Sequence, residues 1–185
     1  MSTKLKPVIG SIAFFGVAPG FVAGWVPYAL SGWTLEEPIL GFDAERILGG
    51  LLVLAGVAGL IESFARFAIQ GKGTPAPIAP TENLIVSGLY RYVRNPMYIA
   101  VVAIILGQGF LLGSVVLLGY ALVVWLACHL FVLLYEEPTL HKQFGESYRV
   151  YQSQVRRWWP RLRPWRGVDV GQRSLQKPGS QLRGS

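Results

Sequence analysis

Four long apolar blocks set the pattern of this chain, at residues 8–30, 47–69, 97–112 and 114–135. Runs of this length with few charges predict helices that cross a membrane. The third block is short, roughly 24 Å if fully helical, and would just span a thin or deformed bilayer. Gly113 separates it from the fourth, which predicts a tight helical hairpin with almost no outer loop. Pro19 and Pro27 fall inside the first block and predict a kink or an early end there. The second block is rich in Gly and Ala (Gly49, Gly50, Ala55, Gly56, Ala58, Gly59), which permits close approach of a neighbouring helix. The expected fold is therefore all-α, a polytopic helical membrane protein of about four transmembrane helices with a cytoplasmic C-terminal helical segment.

The polar stretches between the blocks fix the expected organisation. Residues 31–46 are acidic, with Glu36, Glu37, Asp43 and Glu45 against Arg46. Residues 70–81 form a linker rich in Gly and Pro, long enough to cover something or to run along the surface. Glu136-Glu137-Pro138 is expected to end the fourth span. An amphipathic charged region follows, with His141, Lys142, Phe144, Glu146, Tyr148, Arg149 and Tyr151. It closes on a run of arginines with Trp158, Trp159 and Trp165, which fits an interfacial aromatic anchor. From Gly167 onward the composition is Gly, Ser, Gln, Pro and basic residues, read as a disordered tail. The domain expectation is one membrane domain over 1–166 and a basic tail over 167–185.

Composition sharpens the class. Of 185 residues, 52% are hydrophobic and only 15% charged, where a soluble domain carries about 25%. The net charge of +7 could suggest nucleic acid, but its distribution gives it another meaning. Ten Lys or Arg follow Glu136, three lie in the 70–96 loop, two at the N-terminus and one in the 31–46 loop. With four spans the three basic regions share one side, and the positive-inside rule makes that side, with both termini, cytoplasmic. The basic charge then serves topology and contact with membrane lipids, and no nucleic-acid module accompanies it. Lys4 and Lys6 before an apolar run also resemble a signal peptide. The run is too long for one and lacks a clear small-x-small cleavage site, which favours a retained span. The single cysteine, Cys128, excludes an internal disulfide framework.

Candidate chemistry gathers on the basic side. Ser87 to Tyr98 is a dense polar and aromatic stretch directly before the third block. Pro96 suits the first turn of a helix and Asn95 suits its cap. Arg91 and Arg94 then lie beside a helix start, suited to an anionic group. Across the hairpin stand His129, Glu136, Glu137 and His141. The hairpin makes Tyr98 and Glu136 neighbours, so arginines and carboxylates line one pocket. A plain hairpin-closing pair of Arg94 with Glu136 or Glu137 would leave several polar and aromatic groups over, which favours a site. Glu62 and Arg66, four apart near the end of the second block, form a favoured helical ion pair, either a structural bridge or part of a site. Glu137-x-x-x-His141 with His129 is a thin metal motif, because the paired motifs of di-iron bundles are absent, and no metal is expected. Gly107-Gln108-Gly109 lies in an apolar segment without a preceding strand and is no dinucleotide fingerprint.

Gly88-Leu89-Tyr90-Arg91-Tyr92-Val93-Arg94-Asn95-Pro96-Met97-Tyr98 is followed by Glu136-Glu137, by Phe144-Gly145-x-x-Tyr148-x-x-Tyr151, and by Val155-x-Arg157-Trp158-x-Pro160. In this order the combination resembles the isoprenylcysteine carboxyl methyltransferase family and the wider phospholipid methyltransferase group, over roughly residues 81–164. The first two spans match only in character. The resemblance implies an integral membrane methyltransferase that uses S-adenosylmethionine, with an acceptor that is lipid-like or small and hydrophobic. It nominates Arg94, Glu136 and Glu137 as catalytic residues. It also nominates Tyr90, Asn95, Pro96, Tyr98, Tyr148, Tyr151, Arg157 and Trp158, together with those three, as the cofactor's surroundings. One departure is plain: the family's usual His is Asn95 here, which can donate or accept a hydrogen bond but cannot transfer a proton. A membrane reductase using NADPH and a non-enzymatic membrane scaffold are the alternatives from other classes. A prenylated cysteine, a phospholipid amine, a small thiol and an isoprenoid acid all fit as acceptor.

Overall fold

The computed structural model describes residues 18–70 and 84–166, with 67–70 described by backbone alone. The start of the first apolar block, most of the 70–81 linker and the 167–185 tail lie outside the described residues. Among those described, every regular element is helical. A π-turn, Phe21–Trp25, leads into α1 (Val26–Ser31). Then come α2 (Ala44–Gln70) and a short 3-10 turn (Gly88–Arg91). The hairpin helices are α3 (Pro96–Leu112) and α4 (Val115–Phe131). A second π-turn, Val132–Glu136, joins α4 to α5 (Glu137–Phe144), and α6 (Glu146–Gln154) follows.

The most extensive packing is between α2 and α3, and glycine makes it possible. A side chain at Gly49 would run into the backbone of Leu111 and Gly107, and one at Gly107 into the backbone of Gly49 and Val53. Gly56 meets the Ala100 carbonyl in the same way. Two helix backbones thus touch where lipid gives no hydrophobic push and contact depends on close fit. The buried centre is Leu60 and Phe64 of α2, Ala100, Val101, Ile104 and Ile105 of α3, and Ala121 and Val124 of α4. The outward faces are apolar as well: Ile47, Leu51 and Leu54 on α2 and Val123 and Leu134 on the α4 side are exposed. An apolar outside over an apolar core is the profile of a protein dissolved in hydrocarbon. The 23 residues from Ala44 to Arg66 and the 30 from Val115 to Phe144 are long and apolar enough to cross, and α3 is a shorter apolar helix.

Both prolines next to the π-turns are accommodated rather than helix-ending. The Val26 N–H bonds the Phe21 carbonyl five residues back, and Pro27 has no N–H to give. The carbonyls of Val22 and Ala23 are taken by side chains instead. Tyr120 Oη donates to Val22 O at 3.0 Å, and Gln108 Nε2 to Ala23 O at 2.7 Å. Trp33 Nε1 in turn donates to Gln108 Oε1 at 3.1 Å, so this polar side chain amid apolar helices is satisfied. The same device precedes Pro138: the Glu137 N–H bonds the Val132 carbonyl, and the helix runs on to Phe144. The expectation that Glu136-Glu137-Pro138 ends the fourth helix is therefore corrected. A wider turn absorbs the proline, and the helix carries Glu137 and His141 onward on one rod.

The hairpin turns at Gly113, whose φ of +76° suits glycine and whose N–H bonds the Gly109 carbonyl. The 32–43 loop is tied to this end. Arg46 donates to the carbonyls of Leu111 (2.8 Å) and Glu36 (2.7 Å), and the Glu36 N–H to Leu112 O. Glu45, fully buried, accepts from the backbone N–H groups of Ile39 and Leu40.

Candidate active site

At the opposite end of the hairpin the chain builds a cluster around one carboxylate. Pro96 opens α3 at its first turn, which leaves residues 92–95 free to run beside the C-terminal segment. The backbone there is pinned by Arg94 N–H to Arg156 O (3.0 Å), Arg161 N–H to Tyr92 O (2.9 Å) and Trp165 N–H to Arg91 O (2.9 Å). Glu137, one residue past the π-turn, is buried and points into this seam. Arg157 grips it as a fork, Nε to Oε1 at 2.7 Å and Nη2 to Oε2 at 2.8 Å. Arg94 Nη1 joins Oε1 at 2.9 Å, and Gln152 Nε2 donates to Oε2 at 3.3 Å. The Arg94 and Glu137 side chains are each 9% exposed. Forked, charge-assisted pairs of this kind are strong and directional. Arg94 also reaches Tyr148 Oη at 3.3 Å, while its Nε is buried without a hydrogen-bond partner.

Glu136 takes a different neighbour: Tyr98 Oη donates to its Oε2 at 2.9 Å. The hairpin thus brings Tyr98 and Glu136 together as its geometry predicts. Tyr151 Oη donates to the Tyr90 carbonyl at 2.7 Å, and its ring packs on Trp165 at 5.6 Å. Tyr148, Tyr151 and Val155 form a small second core with Leu140 and Phe144, holding α6 over the hairpin end. Burial pushes the Tyr148 phenol up to about 12, and pushes Tyr90 and Tyr151 up as well. All three are neutral hydroxyls at physiological pH.

The nominated residues divide. Tyr98 and Glu136 form one pair, and Arg94, Glu137, Tyr148 and Arg157 one connected group. Asn95 and Pro96 sit at its edge, and Tyr90 and Tyr151 stand behind it. Asn95 does not cap α3 with its side chain; its Nδ2 donates to the Arg157 carbonyl at 3.3 Å, tying the helix start to the residue that grips Glu137. Trp158 points elsewhere. Its Nε1 donates to His129 Nδ1 at 2.9 Å, and it packs on the imidazole and on Trp125. Of the tryptophans read as an anchor, Trp159 is exposed, whereas Trp165 packs inward on Tyr151. Arg91 is occupied with the Trp165 carbonyl at 2.6 Å. Sequence reasoning missed Gln152, which carries no mark among the polar residues of α6, and Trp165 as a brace. It also missed the Gln108–Trp33 link, since a glutamine within an apolar block is the only cue to it.

The cluster can meet a zwitterionic group. Two guanidiniums answer a carboxylate, two glutamates answer an ammonium, and the unpartnered Arg94 Nε is a donor still to be satisfied. No curated protein and no solved structure matches the chain. A family model described as phospholipid methyltransferase matches residues 44–147, which takes in α2, the hairpin and Glu136-Glu137. The isoprenylcysteine carboxyl methyltransferases are a related family. With more than half its length matched, the chain belongs to the phospholipid methyltransferase family, integral membrane enzymes that transfer a methyl group from S-adenosylmethionine.

Proposed function

We propose that the chain methylates a lipophilic acceptor, most simply a phospholipid amine, at the cytoplasmic membrane face, with Arg94, Glu136 and Glu137 as the residues that hold the methyl donor. The buried Arg94–Glu137–Arg157 cluster carries this reading, because a structural pair would need one arginine and no unpartnered donor. S-adenosylmethionine supplies, when bound, a methyl group on a sulfonium that a nucleophile can take in line without a metal. Arg94 and Arg157 orient the donor's carboxylate, and Glu137 fixes both guanidiniums so that they need not reorganise. Glu136 answers an ammonium and, for an amine acceptor, accepts the proton that must leave before nitrogen can attack. Asn95 cannot take that proton and serves instead to hold Arg157. Tyr90, Tyr98, Tyr148 and Tyr151, with Pro96, wall the site and exclude water, and their aromatic faces suit a sulfonium. Trp158 belongs to the outer wall through His129.

The basic-residue distribution supports four spans with both termini in the cytoplasm; the described residues hold two long and one short apolar helices. The test is transfer of a radiolabelled methyl group from S-adenosylmethionine to a total lipid extract by protein purified in detergent. Labelled lipid is expected from the native protein and loss of at least about 100-fold from Glu136→Ala. Absence of any labelled lipid or small acid with native protein would sink the reading.

A further inference from the structure

The turn that precedes Arg94 also borders a second feature. An open cleft of about 680 Å³ lies between the end of α2 and residues 86–92, with Arg166 at its rim. Its charged lining is Arg66, Arg91 and Arg166 against the single carboxylate of Glu62, a positive concavity that favours an anion. Arg66 Nε donates to Glu62 Oε1 at 2.8 Å, so the ion pair engages the inner edge of the guanidinium fork. Glu62 Oε2 is buried and has no hydrogen-bond partner, a costly state that an N–H or O–H of a ligand would relieve. Gly88, at φ +55°, lies directly on this pair, where any side chain would collide with Glu62 and Arg66. The cleft therefore pairs cations with one acceptor, matching a phosphate that carries a nearby hydrogen-bond donor.

Its position also selects the ligand. On the Glu62 face of α2, one, two and three turns back, come Ala58, Ala55 and Leu51, all exposed. This forms a shallow apolar lane leading from the cleft along the outside of the helix, suited to an acyl chain. Arg91 and Tyr92 of the cleft wall lead along the chain to Arg94, which pairs with Glu137. We propose that this cleft seats the headgroup of a zwitterionic phospholipid, with Arg66 and Arg166 toward the phosphate and Glu62 Oε2 accepting from the headgroup amine. The lipid so held keeps its amine at Glu62, apart from the amine that Glu136 deprotonates in the methyltransferase reading, and its binding test does not require turnover.

The experiment is calorimetric titration of full-length protein in detergent with short-chain phosphatidylethanolamine, phosphatidic acid of the same chains, and inorganic phosphate. S-adenosylhomocysteine is titrated in parallel. Native protein should bind the ethanolamine lipid. Arg66→Gln and Arg166→Gln should each weaken it about tenfold. Glu62→Gln should weaken the ethanolamine lipid and spare phosphatidic acid, and all three variants should keep the native affinity for S-adenosylhomocysteine, which also reports folding. Unchanged lipid affinity in both arginine variants would overturn the assignment. So would inorganic phosphate that binds as tightly as the lipid, which would make the cleft a free-anion site. Native protein that binds the lipid but no S-adenosylhomocysteine would instead overturn the methyltransferase reading and support the cleft.

Discussion

Glu137 is the residue on which the account turns, and its partners show what each neighbour contributes. It accepts from Arg94, Arg157 and Gln152 within a seam closed by the C-terminal segment. Such a carboxylate keeps two guanidiniums fixed in a dry place, where removal of one member of the set costs about 3–5 kcal/mol. Asn95 stands where the sequence resemblance leads one to expect histidine, and its amide donates to the Arg157 carbonyl. If that donation is its contribution, Asn95→His should retain transfer with an unchanged pH profile, since a ring N–H can replace the amide donor. Asn95→Asp, which has no donor at neutral pH, should raise the KM for S-adenosylmethionine about tenfold. A pH profile that gains a new limb near neutrality in Asn95→His would mean that the position takes part in proton transfer. Arg94 and Glu137 were legible in the sequence because the hairpin brings their chain positions together. Gln152 and the inward turn of Trp165 were not, since both depend on how α6 folds back, which no local spacing reports.

At the scale of elements, glycine and proline placement decides most of the geometry. The Gly-rich character of α2 announced a close helix contact, while its partner glycine in α3, Gly107, emerged only from the register of the packed pair. Gly107→Val should force α2 and α3 apart and cost about 1–3 kcal/mol, read as a lower thermal midpoint in detergent. An unchanged midpoint would show that the contact can give. Sequence alone misjudged Pro138, because a proline preceded by a wider turn looks the same in one dimension as a proline that stops a helix. The π-turns before Pro27 and Pro138 are where the chain solves the same problem twice. The first is repaired by Gln108 and Tyr120 reaching across from α3 and α4. The second shifts the phase of the helix so that Glu136 meets Tyr98 while Glu137 meets the arginines.

For the whole molecule, the apolar exterior and the polar end make one arrangement: a helical body for the bilayer and a charged cap folded over one end of the hairpin. The positive-inside rule leads us to propose a cytoplasmic cap, and this is open to direct test. With Cys128 replaced by Ala, cysteine at Leu35→Cys should react with a membrane-impermeant maleimide from outside intact cells. Cysteine at Glu146→Cys should react only after permeabilisation. The reverse pattern would invert the topology and move the site to the other face. The central claim is that the Arg94–Glu137–Arg157 cluster holds the methyl donor. The most direct measurement is the affinity of purified protein for S-adenosylhomocysteine, compared between the native chain and Arg94→Gln, with helicity by circular dichroism as the folding control. The account predicts binding by the native chain and a loss of at least about tenfold in the variant at unchanged helicity; equal affinity in the two proteins would contradict it.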